Sequence, residues 1–152
     1  MRVVAEVRDH VALLEKEGKS PKSLSFWGHS LGGLFLRYAM AELFDLEHGT
    51  ICGFLPQLFI TTATPHLSVA STFFSETLLH TANALGVYGR SGEQLFLLDD
   101  QVLIIKMGTD YRYIQPLMLF RYRALITNVS SDIAVDFCTA ALQPRHAQWL
   151  TE

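Results

Sequence analysis

The chain has 152 residues and a formal charge of −3, from 15 acidic and 12 basic side chains. With 49% of its residues apolar and 18% charged, it is too rich in core-forming side chains for a disordered tail and sized for one domain. No cluster of Lys and Arg suggests a nucleic-acid face.

Cys52 and Cys138 lie far apart, without ligand-like spacing around either, so neither a disulfide framework nor a metal site is expected. The first residues carry Arg2, Glu6, Arg8 and Asp9 and contain no apolar core of a signal peptide. Pro56, the Thr61–Thr62 pair and scattered charges interrupt every apolar stretch before it reaches membrane-spanning length. A cytoplasmic protein, peripheral to membranes, is the expectation.

In chain order, Val3, Val4, Val7, Val11 and Leu14 recur at helical spacing and predict an amphipathic helix ending near Gly18. Leu24 to Trp27 reads as a short buried strand, stopping at Gly28. Leu31 to about Leu46 predicts a second helix, with Gly32 and Gly33 in its first turn. Leu58 to Thr62 is a second strand, closed by the Thr64–Pro65 turn signal. Residues 67–85 and 91–98 predict helices.

Residues 101–120 are ambiguous, with Pro116 interrupting any long helix. Arg123 to Asn128 is a third strand. Strands alternating with helices predict a parallel sheet flanked by helices.

Gly28, Ser30 and Gly32 form the spacing G-x-S-x-G, which arises by chance in roughly one chain in twenty of this length. Its position is more telling, because it follows a strand and opens a helix. A chain reversing that sharply holds the serine in a strained backbone, and side chains at positions 28 and 32 are expected to collide with the turn. Ser30 is then the candidate nucleophile. The Leu31 N–H at the helix N-terminus is a candidate donor to an oxyanion. A plain strand–helix turn that happens to contain a serine is the alternative, and His29 reads as support for the turn.

Ser25 to Ala39, SFWGHSLGGLFLRYA, resembles the nucleophile elbow of the family known as the putative serine esterases, a lipase-like group in the α/β-hydrolase superfamily. Phe59 to Leu67 (FITTATPHL), Arg90 to Asp99 (RSGEQLFLLD) and Arg123 to Asp132 (RALITNVSSD) resemble further segments of that family in order, as do Val135 and the run from Phe137 to Leu142. The likeness covers about residues 20 to 142 and implies a partial α/β-hydrolase fold lacking the N-terminal strands, in a single partial domain over residues 1–152. It also implies a cofactor-free hydrolase of carboxylic esters, with a lipid or small ester as substrate. Ser30 matches the family's nucleophile and Asp132 its triad acid, while Asp136 stands where the family usually has proline. The family's preceding strand and His-Gly loop, which supply the second oxyanion donor, have no counterpart ahead of the elbow.

The residue order Ser…Asp…His expected for such a triad leaves His146 as the histidine after Asp132. His146 sits in a polar end segment, where an idle exposed histidine is the competing reading. Asp132 also suits a turn beside Ser130 and Ser131. His66 rivals His146 on position, against a simple turn role. Phe73, Phe74, Leu78 and Leu79 fit either a plain core or the wall of an acyl pocket.

If the elbow strand lacks a neighbour, its edge is open, and association through that exposed sheet edge is expected. The alternative function is an inactive remnant of the hydrolase fold that binds a lipid or a protein.

Overall fold

The computed structural model describes residues 2–68, 103–130, 132 and 135–143. The helices expected over 67–85 and 91–98 therefore lie outside the described residues, except for Leu67 and Ser68, which form part of a turn.

Helix α1 (Arg2–Lys16) follows the predicted apolar stripe. Gly18 ends it at φ 68, with Lys19 N–H donating to Leu14 O at 2.9 Å and Gly18 N–H to Glu15 O at 3.0 Å. That left-handed closure satisfies carbonyls the helix would otherwise leave bare, and glycine adopts it without a Cβ penalty.

Strand β1 (Ser23–His29) leads into α2 (Leu31–Leu43). The helix stops short of the expected Leu46 because Phe44 turns extended, at φ −76 and ψ 129. A small antiparallel hairpin follows, β2 (Phe44–Asp45) against β3 (Thr50–Ile51). Its loop is gathered by Asp45, whose carboxylate accepts from the Glu47 and His48 N–H groups and pairs with the His48 ring at 2.8 Å. Such local side-chain bonds compete with helix continuation.

Strand β4 (Leu55–Thr62) then lies parallel to β1, and β5 (Tyr122–Ile126) lies parallel to β4, giving the order β1-β4-β5. The sheet is parallel and flanked by helices, a partial α/β fold.

Between β4 and β5 come α3 (Leu103–Thr109) and α4 (Tyr111–Leu119). The helical path breaks at Asp110, not at Pro116. Asp110 adopts φ −85 and ψ 127, and its side chain accepts the Arg112 N–H at 2.9 Å. Pro116 sits inside α4, fully buried. A short helix, α5 (Phe137–Ala140), completes the described elements.

Register fixes what each sheet face does. Phe26 and Phe59 are paired across β1 and β4, and both pack on Phe120, with ring centroids 6.2 and 5.7 Å away. Val4, Ala39, Met40, Leu43 and Ile51 complete that core. Leu34, Ile104, Met107 and Tyr113 form a second cluster where α2 meets α3 and α4.

The alternate register positions show far less burial. Trp27 is 74% exposed, and Tyr122 and Ile126 are also exposed. Among the described residues β1 is an edge strand. No helix among them is long and apolar enough to cross a membrane.

Candidate active site

The C-terminal ends of the three strands align as His29, Thr62 and Ile126. Ser30 follows directly, with φ 51 and ψ −132, between the last residue of β1 and the first of α2. A side chain with a Cβ pays about 1–3 kcal/mol for such a backbone.

Hydrogen bonds hold the residue there. Ser30 N–H donates to Thr62 O at 2.8 Å, while Ser30 O accepts from Gly33 N–H at 3.1 Å and from the Thr64 hydroxyl at 2.9 Å. The Ser30 side chain makes no capping bond to α2, although serine at a helix N-cap ordinarily does. Its hydroxyl is not committed to the helix. Leu31 is the first residue of α2, where an N–H has no partner within the helix.

The glycines divide differently from the sequence expectation. A Cβ on Gly28 would lie 2.5 Å from the Gly33 Cα, so glycine is required there. A Cβ on Gly32 would meet nothing within 4 Å, so position 32 does not collide with the turn. The close approach belongs to Gly33, where a Cβ would sit 2.3 Å from the Thr64 hydroxyl oxygen. The α2 backbone comes down on β1 and on Thr64 together, and this contact lets Thr64 reach the Ser30 carbonyl. The G-x-S-x-G spacing does not mark position 33, but its place in the first turn of α2, where close packing outweighs propensity, agrees with this contact.

Asp132 lies six positions beyond the end of β5, half-buried. Its carboxylate accepts from Asn128 Nδ2 at 2.9 Å and from Val135 N–H at 3.0 Å. The segment beyond it is tied back towards Ser30. The Thr139 hydroxyl accepts from Leu67 N–H at 2.9 Å and donates to Ser68 O at 2.8 Å, and Leu67 is three residues past Thr64. These bonds tie α5 to the turn after β4, whose Thr64 hydroxyl donates to Ser30 O. Asp136, where proline was noted as usual, has φ −59, a value that proline also adopts. Aspartate keeps that turn and adds a cap, accepting Cys138 N–H at 2.8 Å.

The histidines separate clearly. His29 Nδ1 shares a hydrogen with the Thr62 hydroxyl at 3.0 Å, and that hydroxyl also receives Trp27 Nε1–H at 3.4 Å. His66 is only 3% exposed and engaged at both ring nitrogens. Arg37 Nη1 must donate to His66 Nδ1, at 3.3 Å, so the proton sits on Nε2, which donates to the Thr61 hydroxyl at 2.9 Å. Burial first, and then the Arg37 charge, push its pKa down to about 3. A neutral imidazole with no free nitrogen is a structural bridge between α2 and β4. His146, with Phe73, Phe74, Leu78, Leu79 and the segment 90–99, lies outside the described residues.

These features sit in a chain whose residues 1–143 match the family model described as "Putative serine esterase (DUF676)". The chain belongs to this family. It is 30% identical over 128 residues to "Putative lipase C4A8.10" of Schizosaccharomyces pombe, an alignment covering 79% of this chain and 16% of that protein. It is 29% identical over 131 residues to "Putative lipase ROG1" of Saccharomyces cerevisiae, covering 82% of this chain and 18% of that one. The chain therefore spans less than a fifth of the length of these relatives. No solved structure matches it.

Arg37, which carries no sequence signal of its own, is the most unusual charge near the site. It is 6% exposed, on the α2 face turned to α3. Nη2 donates to Met107 O at 2.6 Å, in the last turn of α3, where the carbonyls carry partial negative charge. Its Nε has no hydrogen-bond partner. Burial lowers its pKa to about 10, so it remains a cation at neutral pH. Among the described residues no group of His, Cys, Asp and Glu side chains could hold a metal ion.

Proposed function

We propose that this chain carries the nucleophile elbow of a serine hydrolase that cleaves carboxylic esters, with Ser30 as nucleophile. The observation that carries the reading is the Ser30 backbone, strained at φ 51 and ψ −132 on a strand–helix junction, with a hydroxyl that caps nothing. An ordinary capping serine has neither property. Membership of a serine esterase family and likeness to proteins named as lipases support ester chemistry, and lipid acyl esters are the substrate class we favour.

In this reading a base removes the Ser30 proton as its oxygen attacks the ester carbonyl, and the carbonyl oxygen takes up negative charge facing the Leu31 N–H. Collapse expels the alcohol, which takes its proton from the protonated base, and leaves an acyl-serine. Water, deprotonated by the same base, then releases the acid and restores Ser30. His146 is assigned as the base and Asp132 as the group that orients it. Asp132 is suited to that work because it is already held by Asn128 and Val135, in a segment bonded to the turn beyond β4. His66 is not assigned, since both its nitrogens are engaged.

Fluorophosphonate labelling of the purified chain beside Ser30→Ala tests the reading, because the probe modifies only a serine activated by a base. Labelling that disappears in Ser30→Ala, and falls steeply in His146→Ala and Asp132→Asn, is the expected result. A folded wild-type chain that stays unlabelled would leave a non-catalytic binding module, for which the β1 edge, unpaired among the described residues, and the exposed Trp27 are the features to probe.

A further inference from the structure

A cavity of about 280 Å³ opens between α2, α3 and the turn after β4, lined by Arg37, His66, Leu67, Ile104, Ile105, Gly108, Thr109 and Leu142. One property is hard to reconcile with an empty packing gap: within mostly aliphatic walls, its one charged lining residue is a guanidinium that is 6% exposed.

A cation taken out of water is costly, by several kcal/mol, unless opposite charge or a full set of acceptors replaces the solvent. Arg37 has five N–H donors but only two acceptors, Met107 O and His66 Nδ1, both uncharged, and Nε has none. Among the described residues it is in no salt bridge, whereas the more exposed Arg112 is paired with Glu42. The α3 carbonyls offset part of its charge, and the rest is uncompensated.

We infer that this cavity binds an aliphatic carboxylate, its anionic end neutralising Arg37 and its chain lying against Leu67, Ile104, Ile105 and Leu142. Charge and shape select this class together. A guanidinium pairs with a carboxylate through paired N–H donors, and the aliphatic walls reward a hydrocarbon tail but give nothing to a second polar group. The volume falls just under the ~300 Å³ lower end of small-molecule sites, which suits a short chain more than an entire lipid.

His66 serves the site by remaining neutral. Accepting from Arg37 at Nδ1 fixes the guanidinium without adding a second buried charge. The binding stands by itself; that the bound acid is the class of product released at Ser30 rests on the proposed hydrolysis.

Calorimetric titration with sodium hexanoate at neutral pH, beside acetate and 1-hexanol, separates charge from tail. Hexanoate is expected to bind at least about tenfold more tightly than either control, the loss of one strong interaction. Arg37→Met, which keeps the stem and removes the charge, should erase the preference over hexanol. Because that variant also loses the α3 contact and is liable to misfold, Ile105→Trp provides a second test from the exposed rim: it fills the cavity, leaves Arg37 in place and should abolish hexanoate binding.

Equal binding of hexanol and hexanoate, no binding by the folded wild type, or undiminished binding in Ile105→Trp would each overturn the assignment. The titration needs no turnover, and Ser30→Ala should bind hexanoate like the wild type. A chain that fails fluorophosphonate labelling can therefore still pass this test, and the reverse also holds.

Discussion

The Ser30 turn and the Asp132 turn sit at the same end of one sheet, yet they are built by different means. Around Ser30 the packing is close: the Gly28 backbone lies against the Gly33 backbone, and Gly33 lies against the Thr64 side chain, with no room for one added carbon. Around Asp132 the described support is largely polar, although Val135 just beyond it is buried. Strand β5 has no buried residue, and the turn beyond it is held by side-chain caps from Asp132 and Asp136. A strained residue persists only where its surroundings over-determine it, which the first region does by close packing. The second region needs only a short turn held in place, and hydrogen bonds suffice for that.

Substitutions can break this contrast. Gly28→Ala should cost about 3 kcal/mol or more, because its Cβ meets backbone that cannot step aside. Chemical denaturation measures it, and a loss under 1 kcal/mol would mean the α2–β1 contact yields.

The Ser30 side should also be the acid-sensitive one. The folded pKa of His66 lies near 3, below the ordinary 6.5, so the unfolded chain binds a proton that the folded chain refuses. The stability this group confers is complete above pH 6.5 and is lost as pH falls towards 3. The slope is about 1.4 kcal/mol per pH unit, or about 2 kcal/mol by pH 5. A denaturation series over that range should show the slope, and His66→Gln should flatten it.

Asp132→Ala should cost only about 1 kcal/mol of stability, the size of a partly exposed cap. Equality with Gly28→Ala would erase the contrast between the two turns. The smallest effect has the opposite sign. Gly32→Ala, facing open space within α2, should stabilise by about 0.5–1 kcal/mol in the same assay. Destabilisation there would restore position 32 to the role the spacing first suggested.

What could be read from sequence follows the range of the forces involved. Helices α1 and α2 were legible because their apolar positions recur at the helical period, and β1, β4 and β5 as short runs of strand length, with β4 rich in β-branched and aromatic residues and closed by a turn signal. The β2–β3 hairpin was not, since strands of two residues carry no alternation and Asp45 builds its loop from contacts two and three residues away. The break at Asp110 competed with a more conspicuous proline, and a single cap bond prevailed. The candidate nucleophile was visible as a local strand–turn–helix pattern. Arg37 was not, because in α2 it looks like any polar helix position. Its burial depends on His66 and Met107, 29 and 70 residues along the chain.

The contact between Gly33 and Thr64 also constrains how this family can drift. The two positions are 31 apart in sequence but occupy one volume, so neither can be altered freely while the other is fixed. A relative with alanine at the position of Gly33 should carry glycine in place of Thr64, since even the Thr64 Cβ would lie 2.9 Å from the added carbon, and would then lack the hydroxyl that steadies the Ser30 carbonyl. The pair should covary as a unit, and lineages that cross between its two solutions must pass through a poorly folding intermediate or change both residues together.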